Sequence, residues 1–488
     1  MRHSRPRSMQ SLNTMSHTAA AENHKLRLRR DPRWKSAIIL AASVLAAIVT
    51  GLHLPSEMAV AAGLGVFCIG MWATAAVPEY LPALVFFVVA IILQVAPPQV
   101  VLGAFQSSTL WLLFGGMVMG SSIRFTGLGQ RMASLLAGML GRRYGSVIAG
   151  VVAFSLALAF FLPSSMGRIV LLVPIILSLA DHMGYGEGSA GRTGMLMAAA
   201  FGTCIPAYAI LPANTPNMIL AGTAESLYGF RIGYFDYLVL HFPVLGAGKA
   251  AALVGLILWM FPDRAPLRAA SDVGAAQPLS RRERHLAVLL VVSLLLWLTD
   301  ALHHVSPGWI ALAGAIWCLW PGSGLTSPKC LNEEINYATL FFVAGIMGLG
   351  AVIASTGLGE TIVAALGEHA GFAPDQPFHN VAALLAISSL VAAVTNLPGV
   401  PAVLTPGAGH LAAVTGLPLA TILMTQVLAF SSVLLPYQAP PLVTATQIAN
   451  LDPRAVTRLC LALFAVTVLV LLPLDLAWWH VLGMFRQG

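Results

Sequence analysis

The chain has 488 residues, of which 58% are hydrophobic and 9% charged, against roughly 25% charged in an average soluble domain. That composition excludes an ordinary soluble domain and reads as a polytopic membrane protein. The net charge of +7 implies no nucleic-acid partner, because the basic residues sit in terminal and linker segments rather than along one face.

Residues 1–35 form a basic tail carrying Arg2, Arg5, Arg7, Lys25, Arg27, Arg29, Arg30, Arg33 and Lys35. The positive-inside rule puts this tail in the cytoplasm. A targeting peptide fits less well, since the apolar run that follows opens onto a whole bundle instead of a cleavage site. Residues 36–261 hold a first transmembrane helix and a first repeat. Apolar runs follow at Ala37–Leu54, Met58–Val77, Leu81–Ala96 and Thr109–Ser122, then an amphipathic arm at Gln130–Leu140 suited to the membrane interface. Five cysteines, Cys68, Cys204, Cys318, Cys330 and Cys460, have no metal-ligand spacing and read as small core residues.

Between the runs Ser146–Leu162 and Ile169–Ala180 stands Phe161-Leu162-Pro163-Ser164-Ser165-Met166-Gly167-Arg168. Unwound backbone at membrane depth is tolerated only where it is buried in protein or lines a watery cavity, so this break points to a site. Ser164, Ser165 and Gly167 offer hydroxyls and backbone donors, and Arg168 is an intramembrane cation that invites an anion. The structural alternatives are a hydrogen-bonded turn for the serines and snorkelling for Arg168. A second break, Pro212-Ala213-Asn214-Thr215-Pro216-Asn217, makes Asn214 and Thr215 either ligands or a cap on a half-helix starting at Asn217. Tyr234–Phe261 closes this half and carries Lys249 near its middle, where pairing or snorkelling outweighs a substrate role. Residues 262–285 then form a solvated cytoplasmic linker with five arginines.

Residues 286–488 repeat the pattern. Thr109-Leu110, Gly115, Met117, Gly120, Ile123 and Thr126-Gly127-Leu128-Gly129 recur as Thr339-Leu340, Gly345, Met347, Gly350, Ile353 and Thr356-Gly357-Leu358-Gly359 at one fixed offset. An arm at Glu360–Glu368 follows, then a broken pair, Val381–Thr395 and Val403–Val414, around Asn396-Leu397-Pro398-Gly399-Val400-Pro401. Leu419–Leu435 breaks at Pro436-Tyr437-Gln438-Ala439-Pro440-Pro441, and Leu459–Leu482 is the last span. Thr395, Asn396, Gly399 and Gln438 are the second-half counterparts of the first-half candidates.

If each broken pair is a re-entrant hairpin, the repeat unit makes an odd number of crossings, so its second copy is inverted. The predicted fold is all-α and polytopic, with about eleven transmembrane helices, inverted repeats, two re-entrant hairpins and broken helices, the N-terminus inside and the C-terminus outside. Paired broken elements in an inverted repeat point to a secondary transporter with its site near the midplane. Helix N-termini at Met166–Ile169 and Asn217 suit carboxylate or sulfate oxygens.

Met71-Trp72-Ala73-Thr74-Ala75-Ala76-Val77-Pro78, followed by an apolar run ending near Pro97-Pro98, resembles the Trp-x-Thr-Glu-Ala-x-Pro segment of the divalent anion/sodium symporter family. The Gly-rich helix, interfacial arm, hairpin and Pro-rich break come in that family's order. The resemblance implies transport of dicarboxylates, citrate or sulfate with sodium by an elevator motion, in a homodimer of the cell inner membrane. It also implies hairpin tips bearing Ser-Asn-Thr. Here the tips read Ser164-Ser165-Met166 and Thr395-Asn396-Leu397, and Ala75 replaces the glutamate. Ser164 and Asn396 are then the candidate sodium ligands, with no other cofactor. Proton coupling and exchange stay open beside sodium.

Other classes fit less well. No HExxH, GxSxG or clustered carboxylates mark a membrane enzyme. A channel is harder to set aside, but two mirrored breaks suggest alternating access more than a fixed filter. An ion antiporter of similar topology, moving sodium against protons or expelling oxyanions, is the rival. It calls for buried acids, and the hairpin and break elements hold none between Ser146 and Ala180, Thr193 and Gly222, or Val381 and Leu451.

Overall fold

The computed structural model describes residues 33–132, 143–162, 164–264 and 278–485. The expectations for the basic tail before residue 33, for most of the Gln130–Leu140 arm, for Pro163, for the middle of the linker and for the last three residues lie outside these. The described residues form helices and contain no strand, as the apolar runs require. In a bilayer every backbone donor and acceptor must be satisfied within the chain, and helices do this segment by segment.

Among the described residues, six helices are long and apolar enough to cross a membrane: Ser56–Thr74, Ser165–His182, Tyr234–Met260, Tyr337–Ser355, Pro377–Thr395 and Pro453–Val481. Shorter apolar helices include Tyr80–Ile92, Tyr144–Ala159, Pro307–Leu319 and Leu419–Phe430. Short connections join Tyr144–Ala159 to Ser165–His182 and Pro377–Thr395 to Gly399–Leu404. Tyr144–Ala159 and Ser165–His182 both lie along Ala190–Cys204. In the second half Pro377–Thr395 and Ala408–Thr415 both lie along Leu419–Phe430. The helix after the linker, Arg281–Leu298, starts with a capping box in which Ser280 and Glu283 satisfy each other's backbone N–H.

The duplicated motif explains how the halves meet. Helices in lipid gain little from hiding apolar surface from one another, so they associate through close van der Waals contact at small residues. Ser108–Thr126 packs on Pro307–Leu319, and a Cβ on Gly115 would stand 2.5 Å from the Ala311 carbonyl oxygen. Tyr337–Ser355 packs on Tyr80–Ile92, where a Cβ on Gly345 would stand 2.3 Å from the Ala83 Cβ. Each copy therefore uses its glycine to seat a helix of the other half. Both copies also end alike, with Gly127 at φ +81° and Gly357 at φ +77°, left-handed positions that glycine takes without strain.

The broken helices cross over in the same way. Thr215–Tyr228, which follows the first break, lies on Gly399–Leu404 of the second hairpin. Pro440–Ile448, which follows the second break, lies on Ser165–His182 of the first. Tyr228 reinforces one crossing, its hydroxyl donating toward the Thr405 and Pro406 carbonyls at 2.8 and 2.9 Å. The five cysteines are free and buried.

Candidate functional site

At the first tip, Ser164 is extended and its hydroxyl accepts from the Gly167 N–H at 3.1 Å, capping the helix that begins at Ser165. Ser165 is buried and donates toward the Ala213 carbonyl at 3.2 Å and toward Asn214 Oδ1. The tip is thereby fastened to the first break, 48 residues along the chain.

Arg168 is fully buried. Its guanidinium donates to the carbonyls of Leu162, Ala213 at 3.1 Å and Thr203 at 2.9 Å, and to the Ser165 hydroxyl at 3.1 Å. Thr203 lies in the last turn of Ala190–Cys204, where backbone carbonyls carry the helix's partial negative charge. Arg168 thus does not snorkel, and its Nε keeps a donor without a partner among the described residues. It ties the end of one hairpin arm, the break and the end of the preceding half-helix to one planar cation, whose fixed fork of donors suits such a role.

The first break consists of two short 3₁₀ turns, Pro206–Ala209 and Leu211–Ala213, and an extended Asn214. The half-helix begins at Thr215, two residues before the predicted start, and Asn214 caps it by position without a side-chain bond. The Asn217 amide group donates to the Tyr208 and Ile210 carbonyls at 3.0 and 2.9 Å, bracing the unwound segment. Four buried polar atoms here have no hydrogen-bond partner among the described residues: Arg168 Nε, Thr203 Oγ1, Asn214 Nδ2 and Asn217 Oδ1; Thr223 Oγ1, two turns into the half-helix, has none either. Buried polar groups are nearly always partnered, so such a cluster calls for an explanation.

The second tip is built differently. The Thr395 hydroxyl donates toward the Val391 and Asn396 carbonyls at 2.8 and 3.1 Å, and Asn396 takes φ +80°. A Cβ on Gly399 would meet the Thr395 Oγ1 at 2.1 Å, so this turn needs glycine for the close approach. The Leu397 N–H donates to the Gln438 carbonyl at 3.4 Å, so this tip also touches the break of its own half. Gln438 Oε1 accepts from the Leu434 and Leu435 N–H groups at 2.9 and 2.8 Å, which fixes that side chain to its own loop. Its first-half counterpart, Asn214, keeps a free donor. Gln426 accepts from the Thr405 hydroxyl at 2.9 Å and leaves Nε2 unpartnered.

The structure therefore joins Ser164, Ser165, Gly167, Arg168, Asn214 and Thr215 at one junction, and Thr395, Asn396, Gly399 and Gln438 at its mirror. Sequence reasoning passed over Thr203, Thr223 and Gln426, and took Asn217 only as a helix start. Their signal was a polar side chain inside an apolar run next to a break. A cavity of about 290 Å³ adjoins the break at Leu211 and the half-helix at Ala221 and Glu225, is lined also by Ser108, Arg231 and Asp300 among others, and has no tip residue in its wall.

Residues 66–433 match the family model described as CitMHS: Citrate transporter. A membrane protein of Cupriavidus necator is 24% identical over 285 residues, covering 56% of this chain and 54% of that protein. The L-tartrate/succinate antiporter of Escherichia coli K12 is 27% identical over 209 residues, covering 40% of this chain and 42% of the antiporter. The chain thus matches about half the length of these curated relatives. Among solved structures, the Alcanivorax borkumensis YdaH transporter aligns with a TM-score of 0.46 at 14% identity, over 76% of this chain and 88% of that one.

Proposed function

This chain belongs to the citrate transporter family, and from that premise we propose that it is a secondary transporter of small di- and tricarboxylates. The relatives named for tartrate and succinate support that class. The observation that carries the reading is the set of unpartnered buried groups at the first junction. The Asn214 amide donor and the Thr203 hydroxyl can each bond a carboxylate oxygen. The N-terminus of Thr215–Tyr228 adds free backbone N–H groups and partial positive charge. Two such junctions, tied crosswise, suit an elevator motion that carries the site as one body.

Sodium is expected to matter little at the first junction. The carbonyls of Leu162, Thr203 and Ala213 and the Ser165 hydroxyl are oxygens of the kind that ligate sodium, and the Arg168 guanidinium already bonds all four. A fixed cation there repels a mobile one and supplies part of the positive field an anion needs. Ser164 is occupied as a cap, which leaves Asn396 at the other tip as the stronger of the two sodium candidates.

The test is exchange in proteoliposomes loaded with unlabelled succinate, malate, tartrate or citrate and presented with the labelled compound, with sulfate as comparator. Entry of carboxylates ahead of sulfate and of neutral or cationic solutes is expected. Preference for a neutral or cationic solute would remove the reading.

A further inference from the structure

We propose that Arg124 is a substrate-contacting residue: its guanidinium, brought beside the first hairpin tip by a helix outside that hairpin, binds a carboxylate of the transported anion. The role rests on the carboxylate-transport reading, but its geometry stands on a residue that this reading does not use.

Arg124 lies in the last turn of Ser108–Thr126 and is exposed. That helix and the turn after it run along the first hairpin through glycines. A Cβ on Gly120 would stand 3.4 Å from Leu162 Cδ2, just before the tip, and one on Gly129 would stand 2.9 Å from Leu171 Cδ2, just beyond it. Between these two contacts Arg124 reaches the tip itself. A Cβ on Gly167 would stand 3.8 Å from Arg124 Nη1 and 3.5 Å from Ser164 Oγ, so the guanidinium and the capping serine flank one glycine. Met166, next in the chain, is exposed, which leaves this side of the tip open to a solute.

The duplicated helix shows that the packing does not need a cation here. In the second copy Gly350 and Gly359 take the places of Gly120 and Gly129, and they abut the second hairpin at Pro406, at 3.5 and 3.3 Å for an added Cβ. The residue matching Arg124 at the same offset is Ala354. Two helices with the same glycine contacts to their hairpins thus differ in one charge beside the tip. The positive-inside rule accounts for a cation at this end of the helix, but not for a guanidinium directed at the hairpin.

That charge is also uncommitted. Arg124 has no hydrogen bond or ion pair among the described residues, whereas acids from neighbouring elements are engaged elsewhere. Glu334 accepts from the Ser121 hydroxyl, and Glu283 pairs with Arg131 at 2.9 Å.

A guanidinium presents a planar fork of donors that matches the two oxygens of a carboxylate. Buried donors without a partner stand at the same tip, Asn214 Nδ2 and Arg168 Nε, and Ser165 bonds Asn214 directly. A substrate with two or three carboxylates can therefore give one to Asn214 and another to Arg124. Because water competes for an exposed cation, the contact is weaker than a buried one and acts mainly through charge. It should favour citrate over succinate, since citrate carries one more carboxylate.

The experiment measures exchange of labelled succinate and citrate in proteoliposomes by the full-length chain, Arg124→Gln and Arg124→Lys. Arg124→Gln should raise the apparent KM about tenfold for succinate and further for citrate, with maximal exchange and thermal unfolding little changed. Arg124→Lys, which keeps the charge, should recover most of the loss. Unchanged KM in Arg124→Gln, or a fall in maximal exchange and thermal stability at unchanged KM, would overturn the proposal. If Arg124→Gln does not fold, Arg124→Cys in a background lacking the five native cysteines decides the matter. Modification with aminoethyl methanethiosulfonate restores a cation and should lower the KM, and the anionic sulfonatoethyl reagent should raise it; equal effects of the two reagents would refute the role. An unsubstituted protein that exchanges no carboxylate would strike the carboxylate reading as well, whereas the outcomes above strike the role of Arg124 alone.

Discussion

Replacing Arg168 by glutamine separates two roles that a cation near an anion site could have. In the structure its donors reach three carbonyls and one hydroxyl, all inside the protein. Glutamine is shorter and carries one amide group, so at least two of those acceptors lose their donor. Hydrogen bonds from a charged group contribute about 1.5–3 kcal/mol each, and an acceptor left bare in the interior costs a similar amount, so the loss is on the order of 3–6 kcal/mol. A loss of that size loosens the first hairpin from the break and from the end of Ala190–Cys204. Thermal unfolding of the purified protein should shift clearly downward, and maximal exchange should fall alike for succinate and citrate. Arg168→Lys keeps the charge but not the planar fork, and should recover little. Unchanged thermal stability, with apparent affinity falling more for citrate than for succinate, would refute this reasoning and return Arg168 to direct anion recognition.

Asn214→Ala removes both the acceptor for Ser165 and the free amide donor, and should weaken apparent carboxylate affinity about ten- to a hundredfold, the equivalent of about 1–3 kcal/mol, read from exchange at varied substrate concentration. Gly399→Ala drives a methyl group into Thr395, 2.1 Å from its Oγ1, and should abolish most exchange. Gly103→Ala, which meets nothing within 4 Å, should leave exchange unchanged as a control. Uptake should depend weakly on sodium, and a steep activation by several sodium ions would show that Arg168 does not stand in for one. Single cysteines at positions 20 and 487, in a background lacking the five native cysteines, should label from opposite sides of the membrane, and labelling from one side would sink the inverted repeat.

Much of the architecture is written in patterns with a direct physical meaning. The apolar run Met58–Val77 appears as Ser56–Thr74 and Tyr234–Phe261 as Tyr234–Met260, because a bilayer leaves such segments no alternative to helix. The breaks at Ser164 and Asn214 were visible because proline and polar side chains interrupt those runs. What a linear pattern does not carry is direction. Nothing around Arg168 says that its guanidinium turns inward to carbonyls contributed by Thr203 and Ala213, and nothing around Gln438 says that its oxygen bonds its own loop.

The glycines at 115 and 345 bear on how the protein is made. Chain synthesis delivers Gly115 and its groove long before Ala311, the residue that fills it, and the second copy waits on nothing because Tyr80–Ile92 is already in place. The N-terminal half therefore enters the bilayer with an open notch, and the later half arrives with its own docking face ready. Such an order favours completion by the tethered second half, and it exposes the first half, whenever translation stalls, to pairing with the wrong partner. Expressed as a separate piece, residues 36–261 should be degraded or aggregate, and co-expression with residues 262–488 should rescue them.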